Sequence, residues 1–463
     1  MKKIDLLCGL MASLAAAAAA CAPSDNGESS ELTESAEQAL DGDKNVNRPS
    51  YQLHLEKRVR FTPLEPGGDL ANGRALFGLS ATDDNTEDAS GALFEGFSQA
   101  AGRDIVANGR TCFTCHRGTE ARMGLAGSLP LSARIPLTDT LFTQVNADAQ
   151  GDPDGLTNID QFALVKYRPG RFNLQREQSD PFRKVFFWRK SINLINLAFS
   201  NGFLNDARAR VMFETDRGAV FSHTQDSDDR FDDLFTPQND ADMATFQFSE
   251  LFVSDPILLA LRDPEHPMHE TLVDDPFYTV PIATNAQNRG KKVFKKECMG
   301  CHNTPNVFNA VENVEPNGQD NAVRPPQFPA FAPSVSKTYN VGISERNAHN
   351  LRFTVPLEGG GFETVVLPLA KEDGSTVNLP ITFDIGLAAT TARYEDVGRF
   401  KVPQLRGVAL NAPYFHDNSA MTLEEVVDYF NSPQYNNSKD GQLFPIHLTS
   451  QQRSDLLEFL RIL

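Results

Sequence analysis

Cys112-Phe113-Thr114-Cys115-His116 and Cys298-Met299-Gly300-Cys301-His302 share one pattern: two thiols three positions apart, with an imidazole directly after the second. That spacing is the attachment signature of a c-type haem. The thiols reach the two vinyl groups of one porphyrin as thioethers. The histidine then falls beneath the iron as its proximal ligand, and the rest of the axial field sets the potential. His302 follows His116 by 186 residues, so the sequence predicts two covalently bound c-type haems, one in each part of the chain. A zinc ribbon also uses Cys-x-x-Cys pairs, but with closely spaced ligands. Here each pair carries its own histidine and the pairs lie far apart. Of six cysteines only Cys8 and Cys21 remain, both near the N-terminus, so no disulfide framework is expected.

The elements that position these strings are partly legible. Thr284 and Gln287 form a capping-box pattern before the second string. Gly290, Phe294 and Cys298 then recur every fourth residue, which predicts a helix whose apolar face carries the haem. Thr422-Leu423-Glu424-Glu425 opens a helix running to Phe430. Another starts at Thr449, with Gln452 three later and Leu456, Leu460 and Leu463 as its buried stripe. Phe362 to Leu367 and Val377 to Ile381 flank Asp373-Gly374, a hairpin signal. There is no short repeat, only a duplicated theme of one haem string per half. The expected fold is mainly α: two cytochrome c-like haem domains with long loops and a few β-hairpins. Their expected limits are residues 49–275 and 276–463, with the boundary after Pro264-Glu265-His266-Pro267.

The N-terminus reads as an export signal over residues 1–20: Met1-Lys2-Lys3, then an apolar run from Leu6 to Ala20 that is short for a membrane span. Cys21 follows Ala18-Ala19-Ala20, which resembles a lipobox, although Ala18 stands where leucine is usual. Lipidation of Cys21 would make a periplasm-facing lipoprotein anchored in the outer membrane; cleavage at an Ala-x-Ala site would leave it unanchored. Residues 21–48 are rich in Ser, Glu and Asp and cannot bury a core, so a disordered acidic tether is expected. The net charge of −18 argues against nucleic acid and for a basic or weakly charged electron donor. Asp226, Asp228, Asp229, Asp232 and Asp233 form either an attracting patch or a solvated loop.

Three stretches resemble the bacterial di-haem cytochrome c peroxidases and the related enzymes that mature methylamine dehydrogenase. They are Gly398-Arg399-Phe400-Lys401-Val402-Pro403-Gln404-Leu405-Arg406, continuing through Asn411 to Asp417 and Thr422 to Val427; Asn108 to Arg117 around the first string; and Asn193 to Phe199 leading to Asp206-Ala207-Arg208. The resemblance implies peroxide chemistry at the N-terminal haem and electron entry at the C-terminal one. It also implies one calcium ion between the haems, held by Asn196 with carbonyls around Val402 to Gln404, oxygen ligands of the kind calcium favours. The alternative for Asn196 is a turn cap.

The chain departs from that family at three places. Counting back from Arg208, the family's inter-haem tryptophan falls on Asn205, and the only tryptophan, Trp188, reads as a core or interface residue. The family's proton-transferring glutamate falls on Gln225, which cannot shuttle a proton as a carboxylate does. His223, two residues earlier, is an acid–base group, a sixth iron ligand or a structural histidine. At the sixth-ligand position of the C-terminal haem, where the family has methionine or tyrosine, the count gives Phe430, leaving Tyr429 and Met421 as candidates. His416 reads as a structural neighbour of the haem. The expected function is a di-haem oxidoreductase that reduces hydrogen peroxide with electrons from a cytochrome c or cupredoxin, in a chain that forms a homodimer if it follows its family. The competing readings are a pure electron carrier and an oxidase acting on a protein or organic substrate.

Overall fold

The computed structural model describes residues 67–78, 110–117, 129–142, 155–167, 181–200, 202–209, 212–222, 236–309, 338–355, 357 and 359–463. All of them lie in one compact unit within Pro49–Leu463. The described residues are mostly helical with three two-stranded antiparallel sheets. The helices used below are α1 (Leu70–Phe77), α2 (Cys112–Cys115), α3 (Gly155–Phe162), α4 (Met212–Ser222), α5 (Pro237–Gln247), α6 (Asn285–Glu297), α7 (Ile343–Arg346), α8 (Leu423–Phe430) and α9 (Ser450–Leu460). The strands are β1 (Leu164–Tyr167), β2 (Phe187–Lys190), β3 (Thr338–Tyr339), β4 (Val366–Ala370), β5 (Thr376–Pro380) and β6 (Phe400–Lys401). No helix among the described residues is long and apolar enough to cross a membrane.

The capping boxes work as their sequences require. Thr284 caps α6 by accepting from Gln287 N–H, Thr422 caps α8 through Glu425, and Thr449 caps α9 through Gln452. The hairpin is present but shifted. Val366 on β4 pairs with Pro380 on β5, and Ala370 with Thr376, around a turn in which Gly374 takes a φ of 82°.

One expectation is corrected. The face of α6 that bears Gly290 and Phe294 is covered by α9 instead of presenting itself to a haem. A Cβ on Gly290 would lie 2.0 Å from Asp455 O, so only glycine lets these two helices approach so closely. Phe294 fills the same contact with Phe277, Phe308 and Phe459. Cys298 caps the helix end and leads into the string.

The duplicated theme runs deeper than the two strings. α5 and α9 are both 11 residues long and start from a threonine with a capping box. Across α1, a Cβ on Gly73 would lie 1.9 Å from Asp242 O on α5, as Gly290 meets Asp455 on α9. Asp242 accepts from Gln238 at 2.7 Å, and Asp455 from Gln451 at 3.0 Å, in both cases from the preceding turn. Phe77 packs on Phe246 with centroids 5.3 Å apart, and Phe294 on Phe459 at 5.3 Å. The loops between repeat as well. Asn196 and Gly407 both take left-handed backbone before a short 3-10 turn, and antiparallel bridges join Phe203 to Ala209 and Tyr414 to Ala420. A shift of 211 residues relates these loops, so Asn205 in one corresponds to His416 in the other.

Candidate functional site

The thiols of the first string enter from α2, a single turn fixed by Thr111, whose N–H donates to Thr114 Oγ1 at 3.0 Å. Cys112 packs on the cluster of Phe77, Met212 and Phe246, and Cys115 on that of Leu131, Leu141 and Ile159. All four cysteines of the two strings are half-buried and none forms a disulfide. Burial, aided by Asp216, holds the Cys112 thiol far above its ordinary range, so it is a neutral thiol in the folded chain. Arg117 next to His116 grips Asp139 with both guanidinium arms, at 3.0 and 2.5 Å, which anchors the chain leaving the string.

The two histidines are held differently. His302 Nδ1 lies 2.7 Å from the Phe308 carbonyl oxygen, which can only accept, so Nδ1 carries the proton. That leaves Nε2 as the nitrogen with a lone pair to give, the arrangement that orients a metal-binding imidazole. Burial lowers the His302 pKa to about 4, against the pull of the Phe308 and Pro403 carbonyls, and keeps the ring neutral. His116 has instead the Ser191 hydroxyl 3.4 Å from Nδ1. Paired thiols followed by an imidazole fit a thioether-linked haem in both halves, and no group of three acidic, cysteine or histidine side chains placed to hold a metal ion is found among the described residues.

Between the halves lies a buried charged seam. Arg189 on β2 donates from Nε and Nη2 to Asp384 at 2.6 and 2.8 Å and from Nη1 to Asp206 at 2.6 Å. Arg208 reaches the other oxygen of Asp206 at 2.7 Å. Burial opposes the charge on Arg189, but Asp206 and Asp384 outweigh it and raise its pKa; Asp206 is likewise held below its ordinary value by Arg189 and Arg208 despite burial. The guanidinium carbon of Arg208 stands 3.7 Å from the Tyr167 ring centre, and that of Arg189 is 4.7 Å from Tyr167 and 5.4 Å from Phe400. Phe400 stacks on His416 at 3.7 Å and 14°, completing a column of five side chains. His416 Nε2 lies 3.3 Å from Ser344 Oγ on α7, and burial lowers its pKa.

Asn196 is fully buried and ties the halves together. Its amide accepts from Ser254 N–H at 2.9 Å and donates to Gln404 Oε1 at 3.2 Å. The structure therefore brings Asn196 to the Gln404 segment. Its oxygen, however, already accepts from both the backbone and the hydroxyl of Ser254, so in this arrangement the residue acts as a clasp. Asn205, at the tryptophan position, donates to Lys190 O at 2.8 Å. Trp188 is in the core, with its indole N–H on Arg352 O at 3.0 Å. The Tyr429 hydroxyl donates to Val341 O at 2.7 Å, and burial raises its pKa to about 12. Met421 is 38% exposed at the start of α8. His223 and Gln225, the proposed acid–base pair of positions, lie outside the described residues, as do Cys21, the tether and the run from Asp226 to Asp233.

Two side chains of consequence escaped the sequence reading. Asp216 on α4 and Gln247 on α5 are buried at 4% and 3% exposure and hydrogen-bonded to each other. Aligning α4 with α8 and α5 with α9 in the sequence would have exposed them, because their counterparts in the other half, Val427 and Leu460, are apolar.

No protein-family model matches the chain. The cytochrome c peroxidase IdrP1 of Pseudomonas sp. (strain SCT) is 37% identical over 81 residues, which is 17% of this chain and 21% of that protein. The match thus spans about a fifth of the length of that curated relative. Hydrazine synthase subunit gamma of Kuenenia stuttgartiensis is 29% identical over 181 residues, 39% of this chain and 41% of that one. Among solved structures, the dihaem peroxidase BthA from Burkholderia thailandensis E264 is 16% identical, covers 87% of this chain and 89% of its own, and has a TM-score of 0.37. The motif resemblance and the matched sequences agree: over short stretches this chain is similar to di-haem cytochrome c peroxidases.

Proposed function

We propose that the chain is a di-haem c-type oxidoreductase that reduces hydrogen peroxide to water with electrons from a small donor protein. The observation that carries this reading is the pairing of two Cys-x-x-Cys-His strings, neither tied up in a disulfide, across an internally duplicated fold. Bound haem would supply one-electron iron chemistry at each site, with its potential set by axial ligand and surroundings. The residues of the chain do the rest. Cys112, Cys115 and His116 hold the N-terminal site, and Cys298, Cys301 and His302 the C-terminal one. The Phe308 carbonyl fixes the tautomer of His302, and the Ser191 hydroxyl lies 3.4 Å from Nδ1 and 3.5 Å from Nε2 of His116. The motif resemblance supports peroxide at the N-terminal haem and electron entry at the C-terminal one. Reducing one peroxide to two waters takes two electrons and two protons, so the pocket must also deliver protons; His223 is the proposed carrier.

Export and lipidation at Cys21 belong to the same proposal, since covalent haem attachment takes place outside the cytoplasm. Half-reduced protein is mixed with hydrogen peroxide while the Soret band is followed, alongside low-temperature EPR of the ferric form. Rapid oxidation with a high-spin ferric signal is the expected result. Two six-coordinate, low-spin irons and no fast reaction would make the protein an electron carrier instead.

A further inference from the structure

The internal duplication offers a built-in comparison. Where two copies of one local fold differ at buried positions, the difference points to something only one copy does. The sharpest such difference is the replacement of Val427 and Leu460, both in the C-terminal apolar cluster, by Asp216 and Gln247 in the N-terminal half. An isolated carboxyl in that place costs stability unless it is hydrogen-bonded or protonated.

The geometry of the pair is incomplete in a specific way. Gln247 Nε2 donates to Asp216 Oδ1 at 3.0 Å. Asp216 Oδ2 and Gln247 Oε1, both buried acceptors, have no hydrogen-bond partner. A proton bound at Oδ2 would turn one of these unpartnered acceptors into a donor. Among the described residues no basic side chain acts on Asp216; the titratable groups that couple to it are Asp240 on α5 and the Cys112 thiol, and Asp242, the remaining carboxyl of α5, is turned toward Asp69 and Asn72 on α1. Burial first, then Asp240, raises the Asp216 pKa well above the ordinary carboxylate value. Met212, one turn earlier on α4, packs in the cluster that receives Cys112, so this face of α4 borders the edge where the haem would be attached.

We propose that Asp216 is a redox-linked proton site of the N-terminal haem, with Gln247 as its positioning partner. This rests on the haem reading given above. When the iron at that site takes one electron, its net positive charge falls by one, the neighbouring carboxylate loses favourable attraction, and one proton from water binds to Oδ2, forming a single O–H bond. When the electron leaves, the proton leaves with it. The C-terminal haem, with Val427 and Leu460 at the matching positions, has no such partner. Asp216 therefore stores one of the protons that peroxide reduction consumes, beside the haem that consumes it.

The test is a redox titration of the full haem-loaded protein at a series of pH values, each haem followed by its own EPR signal. The N-terminal couple of the unmodified protein falls with rising pH, approaching about 59 mV for each tenfold drop in proton concentration. The C-terminal couple does not follow it. Asp216→Asn flattens the N-terminal slope. The double variant Asp216→Val with Gln247→Leu, which copies the packing that the other half already folds with, flattens it too and guards against a single variant that fails to fold. A slope that survives in either variant, or an N-terminal couple that is flat in the unmodified protein, overturns the assignment. Fewer than two haems in a pyridine haemochromogen count overturns the haem reading and this proposal with it, whereas two haems with a flat N-terminal couple overturn this proposal alone.

Discussion

Lys190 and Lys401 occupy one place in two copies of a local fold, and each anchors its backbone in the copy to which it does not belong. The N–H of Lys190 donates to His416 O at 2.6 Å, and that of Lys401 to Asn205 O at 2.9 Å. The side chains cross in the same sense: Lys190 Nζ reaches Asn411 O at 2.8 Å as well as Pro413 O, and Lys401 Nζ reaches Gly202 O at 3.3 Å. The residues just before them, Arg189 and Phe400, meet face to face. The halves are thus clasped reciprocally along one seam, and a perturbation there is felt by both.

Arg189 is the residue on which that seam depends most. Replacing it with methionine leaves Asp384 buried without its forked partner, and Asp206 with Arg208 alone. Removing one member of a buried ion pair costs about 3–5 kcal/mol. Arg189→Met should therefore lower the stability of the haem-loaded protein by that order in urea unfolding. Arg189→Lys should recover only part of the loss, because an ammonium cannot match both oxygens of Asp384 at once. An unchanged unfolding midpoint for Arg189→Met would show that the seam carries no stability.

The two close helix crossings give a prediction local to each half. A Cβ at position 73 would sit 1.9 Å from Asp242 O, and one at position 290 would sit 2.0 Å from Asp455 O. Backbone cannot yield as a side chain can, and overpacking of this kind costs about 1–3 kcal/mol. Gly73→Ala should lower occupancy and stability at the N-terminal haem, and Gly290→Ala at the C-terminal one. EPR quantitation of each haem distinguishes this from a general loss in which both fall together.

How much of this was readable beforehand depended on whether the signal was local. The capping boxes at Thr284, Thr422 and Thr449 and the turn at Asp373-Gly374 are each set by residues within a few positions, and each has the predicted form; the haem strings are local signals of the same kind. The face of α6 was misassigned because a glycine–phenylalanine stripe says that something packs there, not what. Its partner, α9, lies more than 150 residues further on. Arg189, Asp384 and Asp216 were invisible for the same reason. A charged residue looks like surface in sequence, and only the fold shows Asp216 at 4% exposure beside a glutamine from another helix.

The candidates for the sixth position of the C-terminal haem differ in the stability their loss should cost, and neither should alter the spectrum. Tyr429 is held with its hydroxyl on Val341 O and its ring against Phe415 and Phe430, and Met421 is open to solvent. Tyr429→Phe should cost about 1 kcal/mol through the lost hydrogen bond, leaving the ferric spectrum of that haem unchanged. Met421→Ala should change neither stability nor spectrum. A shift in the low-spin EPR signal of either variant would show that the side chain reaches the iron after all.

Asp216 also leaves a mark on stability that needs no electron transfer. Burial raises its pKa in the folded state above the ordinary value of 3.8, so the folded chain binds this proton more tightly than the unfolded chain. The sign follows from linkage: the contribution is fully present below the unfolded pKa and is lost as pH rises through the raised folded value. In that window stability falls with pH, with a limiting slope of about 1.4 kcal/mol per pH unit for one proton. The fully ferric, haem-loaded protein and its Asp216→Asn variant are unfolded in urea at successive pH values above the ordinary carboxylate range. The unmodified protein should lose stability relative to the variant as pH rises, since the amide cannot ionise. Parallel curves would mean that Asp216 titrates in the folded ferric protein as an ordinary carboxyl does, against the direction that its burial sets.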